Sequence, residues 1–345
     1  MTDSSAFVAT VTSVDRSKEL NTPATIHFGN GQSAQLPPGP HSNVIADVLH
    51  NLTTTGDPAY VEVGANHIIS QVLLPLVGYV MNLETLPSGD LRIDLDDSAA
   101  LHVLHRHDPK YNSFADVARA AHAANTPVAL TEDPKTHRIL DLSPAANPKQ
   151  PVSLLVAPAK AKPKSVPLPA PITSAQATEL FALVSATTCN VFTAPAPCIP
   201  FLYPDDGCWA RASQMCKLML AQAIPVVKLW YYGNLVVHTD NSPACTLNWI
   251  FHVAPLVTID NGSGRHPYVI DPALFTKPVT QAKWESVLGD PTAIPLLTDP
   301  SMFLIYLSGW HRSDPGYVQT DKVLATYRNK LRLRAAQLGP PPYEC

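Results

Sequence analysis

Short runs of alternating apolar and polar residues dominate residues 5–142. Phe7 to Val14 and Tyr60 to Val63 read as strands, with β-branched and aromatic residues at every second place. Tyr79 to Leu86 and Leu91 to Leu95 flank Pro87-Ser-Gly-Asp90, which predicts a hairpin. Two segments switch to helical spacing. Ser113-Phe-Ala-Asp116 opens one as a capping-box-like start that runs to about Ala124, and Ser42 to Asn51 is the other. The second half begins with Thr173-Ser-Ala-Gln176, a capping box, with Leu180, Phe181 and Val184 on one helical face. A helix is expected from near Asp206 to Gln222. Strands are expected over Val226 to Tyr232, Leu235 to Val237, Leu247 to Ile259 and Tyr268 to Ile270. The fold class is α+β, with one helix packed on an antiparallel sheet in the C-terminal half.

Proline separates the halves. Eight of the 35 prolines fall within 143–172, alternating with alanine and with Lys149, Lys160, Lys162 and Lys164. Such a run favours extended polyproline geometry and is open to proteases. The expected organisation is therefore an α+β domain over 1–142, a linker over 143–172 and a second domain over 173–345. Hydrophobic residues make up 46% of the 345 and charged residues 15%, enough to build cores in both halves. The net charge is −4, so no basic excess exists to neutralise phosphates, and nucleic acid is not expected as a partner. The longest apolar stretch, Ile68 to Met81, is too short and too polar for a membrane span. No signal peptide is visible at the start of the chain.

All six cysteines lie in the C-terminal half, without the paired spacing of a zinc ribbon. Buried thiols with one disulfide would account for them, or one could be a nucleophile. Cys208 follows Pro204 and Gly207 and should sit in the first turn of its helix, with Asp205 or Asp206 as N-cap. The free amides and positive dipole end there favour a thiolate and can hold an oxyanion. A buried cysteine filling a tight turn fits the same position. His252 lies in one expected strand and Asp271 ends the next. A two-residue Asn261-Gly262 turn pairs Asp260 with Ser263, and that register sets His252 directly opposite Asp271. A longer turn through Gly264 would shift it.

These pieces fall in four ordered motifs: Pro197-Cys-Ile-Pro-Phe-Leu-Tyr-Pro-Asp-Asp-Gly-Cys-Trp-Ala-Arg211, Tyr232-Gly-Asn-Leu235, Trp249-Ile-Phe-His-Val-Ala254 and Ile270-Asp-Pro-Ala-Leu-Phe275. Together they make residues 173–276 resemble the bacterial protein-glutaminase (protein-deamidating glutaminase) family, whose Cys-His-Asp order is that of transglutaminase-like and papain-like thiol enzymes. The resemblance implies a transglutaminase-like domain with Cys208 as nucleophile, His252 as base and acid, and Asp271 as its orienter. It implies deamidation of glutamine in a protein or peptide substrate through a thioester, without metal or organic cofactor. Tyr203, Trp209, Tyr232 and Trp249 are the substrate-binding candidates. The family is secreted and disulfide-rich, and Cys189 and Cys198 match its pattern. Residues 1–142 do not resemble its propeptide; they act either as a proregion covering the site in cis or as a docking domain. One alternative shares the triad, an acyl transferase resolved by an amine; another is a binding module or inactive homologue, against which the intact Cys208-His252-Asp271 set argues. Outside these motifs, His102, His105 and His107 form a solvated or partly packed cluster, or a metal site. Arg328, Lys330, Arg332 and Arg334 should form a solvated basic face.

Overall fold

Alternation becomes paired strands throughout the N-terminal half. A computed structural model describes residues 5–16, 22–145, 165–307 and 311–345. The strands and helices there are β1 (Ser5–Asp15), β2 (Ala24–Phe28), β3 (Ser33–Leu36), α1 (Ser42–Thr55), β4 (Pro58–Val63), β5 (Ile69–Leu73), β6 (Leu76–Thr85), β7 (Leu91–Leu95), β8 (His102–Leu104), α2 (Tyr111–Ala124), β9 (Pro127–Glu132) and β10 (Ile139–Pro144). They form two antiparallel five-stranded sheets, ordered β3-β2-β1-β4-β5 and β10-β9-β6-β7-β8. Each sheet buries one helix face. Val48, Leu49 and Leu52 of α1 pack with Ile26, Val61 and Val72, and Phe114, Ala115 and Ala118 of α2 pack with Ile93 and Leu130. Helix α1 runs past Asn51 and stops at Gly56, which is left-handed at φ 69° and donates its N–H to Leu52. Helix α2 starts before Ser113, at Tyr111, and its N-cap Lys110 makes no side-chain cap bond. The histidine cluster is partly packed, and His102 is its packed member. It is buried, with Nδ1 2.8 Å from Glu132 and Nε2 3.0 Å from Ser98 Oγ, whereas exposed His105 pairs with Asp90.

The C-terminal half holds β11 (Pro171–Thr173), α3 (Ser174–Ser185), α4 (Cys208–Ala221), β12 (Val227–His238), β13 (Thr246–Asp260), β14 (Arg265–Val269), β15 (Val279–Thr280), α5 (Gln281–Val287), β16 (Ile294–Thr298), β17 (Met302–Ile305), β18 (His311–Ser313) and α6 (Val318–Leu338). The main sheet has the order β15-β14-β13-β12-β16 and is antiparallel, except that β11 lies parallel to β13 beyond the end of β12. Thr173 and Gln176 complete both halves of the predicted capping box on α3. The two strands expected at 226–237 are one, β12, with a bulge at Gly233-Asn234. Residues 146–164 of the expected linker lie outside the described residues. The rest of it carries structure: Val166 donates to Leu297 of β16, and β11 begins at Pro171.

By contacts the chain divides into two units, Met1–Lys149 with Val191–Thr193 and Asn329–Pro341, and Gln150–Asn190 with Ala194–Arg328 and Pro342–Cys345. The basic residues of α6 are not a solvated face. Arg334 is buried, Arg328 donates to the carbonyl of Cys198, and Arg332 donates to Phe192 O and Asp47. Among the described residues, no helix is long and apolar enough to cross a membrane.

Candidate active site

Helix α4 is buried on every side from Cys208 to Cys216, as a helix must be when it runs through a core. Its N-terminus is held by its own sequence. Arg211, 2% exposed, turns its guanidinium back to the carbonyls of Tyr203 and Asp206. Asp206 accepts the Gly207 N–H at 2.8 Å and the Tyr327 hydroxyl. The N-cap is Gly207, at φ 78°, and not Asp205 or Asp206. A Cβ at Gly207 would lie 2.5 Å from the Tyr327 ring, so glycine is required both by the backbone and by the close approach. Behind the helix, fully buried Lys228 of β12 donates to Ser213 Oγ at 2.7 Å and to the carbonyl of Met302. Burial pulls its ammonium down to about 8.

Cys208 is thereby placed at the first position of α4, 3% exposed, with its sulfur accepting the Val253 backbone N–H. The expected thiolate is not the resting form. Burial pushes the thiol up to about 12, although nearby Arg211 and the Val253 amide oppose the rise.

Next to Val253, His252 is also buried, and its Nε2 lies 2.9 Å from Asp271 Oδ2. The route is not the one expected. The turn after β13 takes in Asn261 to Gly264: Asp260 Oδ1 holds the Gly262 N–H, Asn261 Oδ1 holds Ser263, and Asn261 N–H meets the Gly264 carbonyl. Asp260 therefore pairs with Arg265 and Leu256 with Val269, where β14 ends. Asp271 lies past the strand, and its side chain reaches His252 from the loop.

Burial alone would raise the Asp271 carboxyl. The adjoining His252, hydrogen bonds from His252 and Trp284, and the charge of Arg211 overcome this and hold it below the ordinary carboxylate value. The other imidazole nitrogen, Nδ1, is buried without a hydrogen-bond partner among the described residues.

Of the four aromatic candidates, Trp249 touches this pair. Trp249 stacks on His252 with ring centroids 4.6 Å apart and planes 11° from parallel, and its Nε1 donates to Asp205 O. The β12 bulge lies opposite Ile250, between Trp249 and Phe251 in the register, and bulges raise twist and re-aim side chains. Tyr232 spends its hydroxyl on Ile305 O, and Trp209 packs against Phe251 and Tyr327. These three are buried, so in this structure they form the walls of the site and not an open groove. Tyr203 is half-buried against Tyr327. Trp284 went unassigned in the sequence because it lies in no motif. It stacks on His252 at 5.5 Å and donates Nε1–H to Asp271 Oδ2 at 3.0 Å.

The cysteines resolve into two disulfides, Cys189–Cys198 and Cys245–Cys345, leaving Cys208 and Cys216 as free buried thiols. Spacing alone could not pair Cys245 with a residue 100 positions away.

Residues 177–288, which carry Cys208, His252, Asp271 and Trp284, match the family model described as glutaminase. A crystal structure of protein-glutaminase is 31% identical over 45% of this chain and 89% of that one, with a TM-score of 0.40. The chain belongs to the protein-glutaminase family. Membership makes it a hydrolase of carboxamide C–N bonds. The NMR structure of protein-glutaminase from Chryseobacterium proteolyticum is likewise 31% identical, over 45% of this chain and 86% of that one, with a TM-score of 0.41. A crystal structure of pro-protein-glutaminase, 24% identical, shares the fold at a TM-score of 0.54, and the match spans 73% of this chain and 91% of that one. That span is more than the C-terminal unit alone can supply. No curated protein matches the chain.

Proposed function

We propose that this glutaminase deamidates glutamine side chains in proteins or peptides, with Cys208 as nucleophile, His252 as base and acid, and Asp271 as orienter. The observation that carries the reading is the buried Asp271–His252 bond at Nε2. It leaves Nδ1 unpartnered on the residue before the amide that holds the Cys208 sulfur. With Nε2–H donating its hydrogen bond to the Asp271 carboxylate, Nδ1 keeps a lone pair. It takes the Cys208 proton as the sulfur attacks the carboxamide carbon. This overcomes the raised resting value of the thiol, because charge separates only when substrate is present. The oxyanion forms against the free amides at the start of α4. Nδ1–H then protonates the nitrogen, the C–N bond breaks and ammonia leaves a thioester. Water gives a proton to Nδ1 and its oxygen to the carbonyl carbon, the C–S bond breaks, and glutamate and the thiol are released.

The N-terminal unit serves as a proregion that limits access to Cys208. The likeness to a pro-form supports this role.

The test places a specific protease site within residues 149–164 and compares intact and cut protein on a short blocked glutamine peptide. Cutting should raise ammonia release, and Cys208 but not Cys216 should become open to iodoacetamide at neutral pH. Equal rates would remove the proregion reading. Incorporation of an added primary amine in place of hydrolysis would move the protein to the acyl transferases.

A further inference from the structure

We infer that Trp284 is a positioning residue for this chemistry, setting the orientation and charge of the Asp271–His252 pair through both its N–H and its ring. The inference rests on the deamidase reading above.

Trp284 is fully buried on α5. The start of that helix is fixed by the Thr280 side chain, which accepts the Lys283 N–H. The preceding strand β15 pairs with β14, Val279 opposite Val269, and β14 leads directly to Asp271. The indole and the carboxylate are therefore both placed from the same strand, with little freedom to drift apart. Asp271 Oδ2 takes two donors, His252 Nε2 at 2.9 Å and Trp284 Nε1 at 3.0 Å, while Oδ1 takes the Ala273 N–H at 3.3 Å. Two N–H groups converging on one oxygen define where it sits, and through it the plane and tautomer of the imidazole. The indole donor also stabilises the ionised carboxylate, so the proton of the imidazolium formed during catalysis stays on nitrogen. The ring of Trp284 stacks on the same imidazole at 26°, and that of Trp249 at 11°. The two indole rings therefore sandwich the imidazole and limit its rotation out of the plane that meets Asp271. A tryptophan kept for packing alone would have no need to aim its only polar atom at the carboxylate.

The test keeps the shape and removes the donor. Trp284 is replaced in the full chain by β-(3-benzothienyl)alanine, in which sulfur stands for the indole N–H, and separately by phenylalanine (Trp284→Phe). Near-ultraviolet circular dichroism checks the fold. Proton NMR follows the downfield resonance of the His252 Nε2 proton held by Asp271, a readout that needs no substrate. Steady-state rates are taken after cutting within residues 149–164. The benzothienyl variant should shift the resonance and lower kcat about tenfold with KM unchanged, as loss of a hydrogen bond to a charged group requires. Trp284→Phe should lower kcat at least as far. Wild-type kcat in the benzothienyl variant overturns the inference, whatever the resonance does. If wild-type protein itself releases no ammonia, the deamidase reading fails. The resonance alone then decides: a shift upholds the hold on Asp271, and an unmoved line rejects it.

Discussion

In the mechanism we propose, Asp271 links catalysis and stability in one buried carboxylate. Asp271→Asn removes the charge that orients and stabilises the His252 imidazolium, and turnover should fall by about 10³–10⁴-fold, measured as kcat/KM on a glutamine peptide. The same substitution has a pH signature. The folded carboxyl is held below its ordinary value, so its contribution to stability is full above pH about 4 and is lost as pH falls through the folded value. Urea unfolding of wild type and Asp271→Asn between pH 7 and pH 3 should show a gap that closes on acidification. A gap independent of pH would mean that the carboxylate gains nothing from its partners.

Helix α4 carries the proposed nucleophile, and its N-terminus and buried face are tied down. Gly207→Ala puts a side chain at φ 78° and against the Tyr327 ring. The backbone alone should cost about 1–2 kcal/mol, lowering Tm by several degrees in a calorimetric scan. Activity should drop further than stability accounts for, since Cys208 is the next residue. Lys228 ties the middle of the same helix to β12 and β17 through Ser213 and Met302. Its ammonium is pulled down to about 8, so the unfolded chain binds more protons between pH 8 and pH 10.5. Over that interval wild type should gain up to about 3 kcal/mol relative to Lys228→Met. Paired denaturation curves at pH 8 and pH 10.5 measure it. The comparison with the variant is needed because the raised thiols and tyrosines titrate in the opposite sense.

At the scale of the whole molecule, the Cys245–Cys345 bond closes the longest covalent loop, across 100 positions, against nine for Cys189–Cys198. Loop entropy in the unfolded chain makes the longer bond the greater stabiliser. Cys345→Ser should cost about 2–4 kcal/mol in guanidinium unfolding, and added reductant should destabilise that variant less than it destabilises wild type, because only Cys189–Cys198 is left to break. The C-terminal segment it anchors is also held by Tyr343 N–H on the Asp240 carbonyl.

Local information carried much of this protein. Thr173 and Gln176 specify a helix start by themselves, since both hydrogen bonds of a capping box lie within four residues. Strand alternation marked β1, β4, β6, β7 and β13 for the same reason. The ordered motifs around Cys208, His252 and Asp271 also stood in the chain as written, as did the family to which it belongs. Other features depended on groups distant in sequence or on competition between local forces. The turn at 261–264 lengthened because side chains of Asp260 and Asn261 captured backbone amides, and this moved the β13–β14 register by two residues while leaving His252 in reach of Asp271. Burial raises the thiol of Cys208, and burial is a property of everything packed around it, which the sequence does not display. Trp284 and the partner of Cys245 were invisible for the same reason: only folding brings an indole 13 residues from Asp271, or a cysteine 100 residues from Cys245, within bonding distance.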